Sequence, residues 1–211
     1  SLVCTPRGFT ADVGPQHRRY EGFHELAYLH PDRFEPDPDL LRTHGVEPDD
    51  RWVLTLPLYH MGGLAIVLRA AIYGTAVVLE REFDAAGTAR TIEEYDATGI
   101  SLVPTMLRRL LEEGWSPVTL RFALVGGAPT PESLARRALD AGVPLHTTYG
   151  MTETASQVAT ATPAELRADP ETVGRPLRTV QVEIVESLFG RRCLLVGLFD
   201  LRALLPAEFV D

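Results

Sequence analysis

The chain has 211 residues, 45% of them hydrophobic, and carries a formal net charge of −9, with arginine supplying all 20 of its basic residues. That length allows one substantial core, or one domain with appendages. The acidic balance argues against general nucleic-acid binding, which needs clustered cations, and no apolar run reaches the roughly 18 residues of a membrane span.

In chain order, Ser1 to about Asp39 is rich in His, Arg, Pro and Asp and shows no sustained period. Its first ten residues hold no apolar stretch long enough for a signal peptide. His17, His24, His30 and His44 follow no zinc-ligand spacing. From Arg51 onward the pattern becomes regular. Trp52–Leu56 reads as a strand, Gly62–Tyr73 as a helix ending at Gly74, and Thr75–Leu79 as a β-branched strand. Asp84–Tyr95 reads as a helix capped by Asp84, Gly99–Val103 as a strand, and Pro104–Glu113 as a helix. Leu120–Val125 is a strand, and Thr130 is expected to cap a helix with Pro131 in its first position. Val143–Thr147 and Thr179–Val185 are further strands. Such repeated strand–helix units predict an α/β fold with a mostly parallel sheet and flanking helices. Ligands of these sheets lie at the carboxyl ends of the strands. Residues 187–211 are apolar and dotted with arginine, without a clear strand–turn–strand pattern. Cys4 and Cys193 lie near opposite ends without CxxC spacing, so neither a disulfide framework nor a zinc site is expected, and a reducing, cytoplasmic setting is.

Three glycine-containing turns follow expected strands. In "LPLYHMGGL", His60 leaves a strand end just before a helix, either as a turn residue satisfied by backbone or as a site residue. In "LVGGAPT", Gly126, Gly127 and Ala128 form a tight strand-to-helix turn or a surface a ligand can approach closely. In "HTTYGMTET", threonine hydroxyls suit phosphate oxygens and a carboxylate suits Mg²⁺. If Thr152 opens a helix, its hydroxyl and the free N–H groups face the same anion. A plain helix cap, with Thr152 as N-cap and Glu153 aiding the dipole, is the competing reading.

Together these stretches resemble the adenylate-forming acyl-CoA synthetases. "YGMTETASQ" is similar to that family's Mg²⁺-glutamate signature, "LPLYHMGGL" to its acyl-pocket motif, "LVGGAPTP" to its adenine-side loop, and "VGRPL" to the motif that follows. The combination with "VPTMLRRLLEE" and "YGMTETASQVAT" is most like the o-succinylbenzoate–CoA ligases of menaquinone synthesis. The resemblance covers about residues 45–186, which are taken as the AMP-binding core, between an atypical 1–44 segment and an atypical 187–211 tail. It implies the large N-terminal domain of such enzymes, with ATP, Mg²⁺ and CoA as co-substrates and a small carboxylate as the acid. It also implies roles. Tyr149 would stack on adenine. Gly126, Gly127 and Ala128 would line it, and Gly150 would adjoin the nucleotide. Thr152 would contact phosphate, Glu153 would bind Mg²⁺, and His60 would stand between acyl carboxylate and phosphate. Gln157, Val158 and the His60 region would shape the acyl pocket.

The sequence departs from the family in three places. The upstream region "TADVGPQHRRYEGFHELAYLHPDRF" holds no glycine–hydroxyl phosphate loop. Asp200 in "GLFDLRALL" matches the ribose-binding aspartate poorly, and no lysine is present for the adenylation step. Arginine does not replace a compact ammonium. The resemblance therefore implies a partial or inactive ligase. Two alternatives stay open: a non-catalytic nucleotide- or acyl-binding module, and a ligase for another aryl or fatty acid. With flanking strands lost, self-association is also expected.

Overall fold

Strand alternation decides how the chain packs. The computed structural model describes residues 2–5, 8–11, 47–151, 156–177, 180–186 and 192–198. Its centre is a run of parallel strands: β3 (Arg51–Leu54), β4 (Ala76–Leu79), β5 (Gly99–Leu102), β6 (Phe122–Val125) and β7 (Leu145–Met151). Before them come β1 (Leu2–Thr5) and β2 (Gly8–Ala11), which pair antiparallel and join the sheet beside β4. Beyond β7 lie β8 (Ser156–Thr160) and β9 (Arg175–Pro176), also antiparallel. The sheet order is β2-β1-β4-β3-β5-β6-β7-β8-β9, and β10 (Val180–Glu186) and β11 (Arg192–Leu198) form a separate antiparallel pair. The parallel expectation holds for the centre, and antiparallel strands flank it.

Successive residues of a strand face opposite sides. Trp52, Leu54 and Val77 therefore pack under α1 (Met61–Tyr73), with Ile66, Val67 and Ala70. Val53 and Val78 face the other side, with Ile100, Leu102 and Val125. That side is covered by α2 (Ala85–Glu94), α3 (Pro104–Glu112) and α4 (Glu132–Asp140) through Ile92, Leu107, Leu110, Leu134 and Ala138. A parallel sheet buried on both faces needs the near-continuous apolar strands seen here. Asp84 caps α2 by accepting from the Gly87 N–H at 2.8 Å, as its sequence position suggested. Gly74 ends α1 in the left-handed region, at φ 71°.

At the end of the sheet away from the strands' carboxyl termini, Asp50 binds three segments. Its Oδ1 accepts from Thr98 Oγ1 and from Arg121 Nη1, each at 2.7 Å, and its Oδ2 accepts from the Glu47 N–H at 2.8 Å. Thr98 Oγ1 in turn accepts from the Arg51 N–H at 3.0 Å. These bonds fix the entries of β3, β5 and β6 against one another.

Two sequence expectations are corrected. Thr130 does not cap α4. Pro131 has an extended ψ of 141°, so it stands outside the helix as the N-cap, and Glu132 supplies the first-turn acid. The chain after Gly150 does not turn into a helix that runs on past residue 155. β7 continues to Met151 and the chain returns as β8, while Thr152–Ala155 lie outside the described residues. Several elements carried no readable period. They are β1, β2, β8, β9, β11 and the short α5 (Pro163–Ala168), which is held by a Thr162–Glu165 capping box.

Leu107 is fully buried, so Leu107→Ala should lower stability by about 3 kcal/mol in denaturant unfolding, as cavity formation in a core does. Val118 is 90% exposed, and Val118→Ala should stay within about 0.5 kcal/mol. His146 on β7 is buried, and burial lowers its pKa, opposed by a hydrogen bond with the Pro144 carbonyl. With the folded value below the unfolded one, the unfolded state binds more protons as pH falls below about 6.5. Stability should decline through that window, and His146→Gln should flatten the decline in unfolding curves measured across it.

Candidate functional site

A cleft of about 610 Å³ opens at the carboxyl ends of the parallel strands. Its floor is formed by Ser101–Val103 at the end of β5, Leu124, Gly126 and Gly127 at and just past the end of β6, and Thr148 and Gly150 on β7. Its α1 wall carries His60, Met61, Ala65 and Arg69. All three methionines of the chain, Met61, Met106 and Met151, line it. Its size suits a small-molecule site, and so does the mix of an apolar wall with few polar groups.

Two close approaches build this shape. A Cβ at Gly63 would strike the Pro57 carbonyl oxygen, so glycine there lets α1 start tight against the Leu56–Pro57 turn. His60 is the N-cap of that helix. Its carbonyl accepts from the Gly63 and Leu64 N–H groups, both at 3.0 Å, and its imidazole makes no capping bond. The ring stands exposed at the cleft edge with its centroid 4.6 Å from that of Tyr59. A Cβ at Gly126 would strike Thr148 Oγ1, so this glycine lets β6 and β7 meet at the cleft floor. Thr148 Oγ1 donates to the Val125 carbonyl at 3.4 Å, across the same junction.

β7 is where the sheet changes character. Leu145–Thr147 pair in parallel with β6, whereas Thr148–Met151 pair antiparallel with β8. The register shifts between Tyr149 and Gly150, an irregularity of the kind that re-aims a strand. Thr148, Gly150 and Met151 line the cleft and the half-buried Tyr149 does not.

The structure thus brings His60, Gly126, Gly127 and Gly150 together around one cleft. Ala128 is exposed beside it without lining it. Thr152 and Glu153 lie outside the described residues. Gln157 lines the cleft, and its neighbour Val158 is buried away from it.

Arg69 is the residue that sequence reasoning missed. It sits in the helical stripe of α1, where one arginine among many attracts no notice. Its Nη1 donates to Gln157 Oε1 at 3.0 Å, and its guanidinium carbon lies 5.0 Å from the centre of the Trp52 ring. Its Nε is sealed from solvent and has no hydrogen-bond partner. Burial pushes its pKa down to about 10, with Tyr73 opposing, so the group remains cationic at neutral pH. Arg121 pairs with Asp50 and Glu47, and Arg136 with Glu132, but among the described residues no carboxylate pairs with Arg69. A partly buried cation without a counter-charge is a place where an anion can bind favourably. Among the described residues, no acidic side chain lines the cleft.

The family model described as AMP-binding enzyme matches residues 37–193 of this chain. The 2-succinylbenzoate–CoA ligase of Bacillus pumilus is 40% identical over 143 residues, covering 66% of this chain and 29% of that protein. The chain therefore spans about three-tenths of the length of the curated relatives it matches. Among solved structures, the o-succinylbenzoate CoA synthetase of Bacillus subtilis in complex with the acyl-adenylate intermediate superposes with a TM-score of 0.73 and 32% identity, over 80% of this chain and 36% of that one. The same enzyme in complex with ATP and magnesium ion gives a TM-score of 0.72 and 32% identity, over 80% and 37%.

Proposed function

The chain belongs to the AMP-binding enzyme family, and we propose that its cleft is the acyl and nucleotide site of an acid–CoA ligase acting on 2-succinylbenzoate. In that reaction the acid's carboxylate attacks the α-phosphorus of ATP and pyrophosphate leaves. The thiol of CoA then displaces AMP to give the thioester.

Arg69 carries the choice of acid. 2-Succinylbenzoate has two carboxylates, and when one is activated the other still needs a cation. A half-buried guanidinium at the cleft wall, its Nε sealed from solvent, supplies it, amid an apolar lining that suits an aromatic ring. A ligase for a fatty acid has no use for this charge.

The other roles follow the cleft. Gly126 and Gly127 present backbone on which adenine packs, with Ala128 beside them, and stacking by Tyr149 requires its half-buried ring on β7 to reach a cleft that it does not line here. Gly150 adjoins the nucleotide and His60 separates acyl group from phosphate. Thr152 contacts phosphate. Mg²⁺ binds through one or two carboxylates and otherwise through phosphate oxygens and water. Glu153, in the stretch that resembles the family's Mg²⁺-glutamate signature, is the carboxylate proposed for it, and the nucleotide's phosphates would fill other positions. Bound there, the ion would neutralise phosphate charge. Residues 45–186 form the AMP-binding core in this reading. Catalysis by such a set rests on positioning and electrostatics rather than a covalent nucleophile. Among the described residues no helix is long and apolar enough to cross a membrane, and we place the reaction in the cytoplasm, where ATP and CoA are supplied.

ATP with Mg²⁺ should raise the thermal midpoint of the protein, and 2-succinylbenzoate should support ATP–pyrophosphate exchange. Binding without exchange would turn the reading toward a nucleotide-binding module, and neither response would sink it. Arg69→Met should weaken 2-succinylbenzoate binding about 30-fold or more, since losing one partner of a buried charge pair costs roughly 2–5 kcal/mol. The ATP-induced thermal shift should be unchanged in that variant.

A further inference from the structure

Arg69 is held by two groups, and neither carries charge. Gln157 stands on β8 opposite Gly150. Its Nε2 donates to Thr160 Oγ1 at 3.1 Å, which turns its Oε1 toward Arg69 Nη1 at 3.0 Å. Guanidinium has donors only, so the amide has to present its oxygen. The Trp52 ring supports the guanidinium from a second direction, at 5.0 Å. Some other arginines have acids beside them, as Arg121 has Asp50 and Arg136 has Glu132, whereas Arg137 donates to the Leu111 carbonyl and Arg109 lies over Phe83. At Arg69, the one arginine among the described residues that line the cleft, an amide occupies the place a glutamate of the same length would fill.

We propose that Gln157 is a positioning residue that fixes Arg69 toward the cleft while leaving its positive charge available to the second carboxylate of the acid. This rests on the ligase reading for the identity of the acid, but the charge argument belongs to the cleft itself. A glutamate at 157 would make the same contact and cancel the charge. An amide orients the cation and leaves it for the ligand, which binds by a charge-assisted hydrogen bond. The selectivity is therefore for a dianionic acid over its monoanionic counterpart, and it is set from β8 rather than from the helix that bears the arginine.

The test compares 2-succinylbenzoate with 3-benzoylpropionate, which lacks the ring carboxylate, by calorimetry on the whole chain. The wild type should prefer the dianion by about tenfold or more. Gln157→Glu should bring the two affinities together by weakening only the dianion, with the ATP-induced thermal shift retained. Gln157→Ala keeps the charge but frees the arginine, so it should narrow the preference without abolishing it. A purely structural glutamine would lower both affinities alike in Gln157→Ala, and that result overturns the proposal. So does a Gln157→Glu protein that keeps the wild-type preference, or a wild type that shows none. If the preference is present and Gln157→Glu removes it while ATP–pyrophosphate exchange is absent, the ligase reading fails and the role of Gln157 stands.

Discussion

The contact between the backbone of Gly126 and the hydroxyl of Thr148 sets the shape of the molecule above its sheet. Without a Cβ at 126, β6 and β7 close together at their carboxyl ends. At that point β7 ends its parallel pairing and takes β8 as an antiparallel partner. One strand therefore belongs to the buried sheet in its first half and to the cleft in its second. Residues Leu145–Thr147 are buried, whereas Gly150 is exposed. The hydroxyl-rich composition of the strand follows from that double duty. Thr147 Oγ1 donates to the Thr172 carbonyl and Thr148 Oγ1 to the Val125 carbonyl, so these threonines are structural before they are anything else.

The antiparallel return also joins the two sides of the cleft. β8 brings Gln157 across to Arg69 on α1, linking residues 88 positions apart in the chain. An apolar helix face does not ordinarily accept an arginine, since the charge is hard to desolvate. Here the aromatic face of Trp52 and the amide of Gln157 cover the guanidinium, leaving it oriented yet uncompensated. The cleft is consequently cationic on one wall and, among the described residues that line it, free of acids, although the whole chain is strongly acidic. Its local field opposes the field of the molecule, as electrostatic focusing of an anionic substrate requires.

Much of the fold was legible because burial on both faces leaves a strong trace in sequence. The apolar runs at Trp52–Leu54, Ala76–Leu79, Gly99–Leu102 and Phe122–Val125 are the strands observed, and Asp84 and Gly74 mark helix ends by their own chemistry. Legibility failed where structure depends on partners distant in sequence. β9 has only two residues, and β1 (LVCT) and β2 (GFTA) lack the near-continuous apolar run of the central strands. The capping box at Thr162 and Glu165 was present in the sequence but guards a helix of only six residues. Pro131 misled because proline suits both the first helical position and the residue before it; only ψ separates the two. At the site, glycines and His60 were visible as punctuation after strands. Arg69 was not, since its meaning comes from what does not accompany it in space.

The Asp50 cluster has a further consequence, for how the chain reaches this structure. Its hydrogen bonds join Asp50 to Thr98 and to Arg121, separations of 48 and 71 residues. Neither of these two can form until the intervening strand–helix units have been gathered, and parallel pairing across such separations is intrinsically slow. Until then a carboxylate destined for burial stays hydrated, and β3, β5 and β6 have no common starting line. The cluster acts as a late check on register: a one-residue slip would strand the carboxylate away from its donors and turn every side chain of the strand to the wrong face. The cleft, at the far end of the same strands, inherits its alignment from an acid that never touches it.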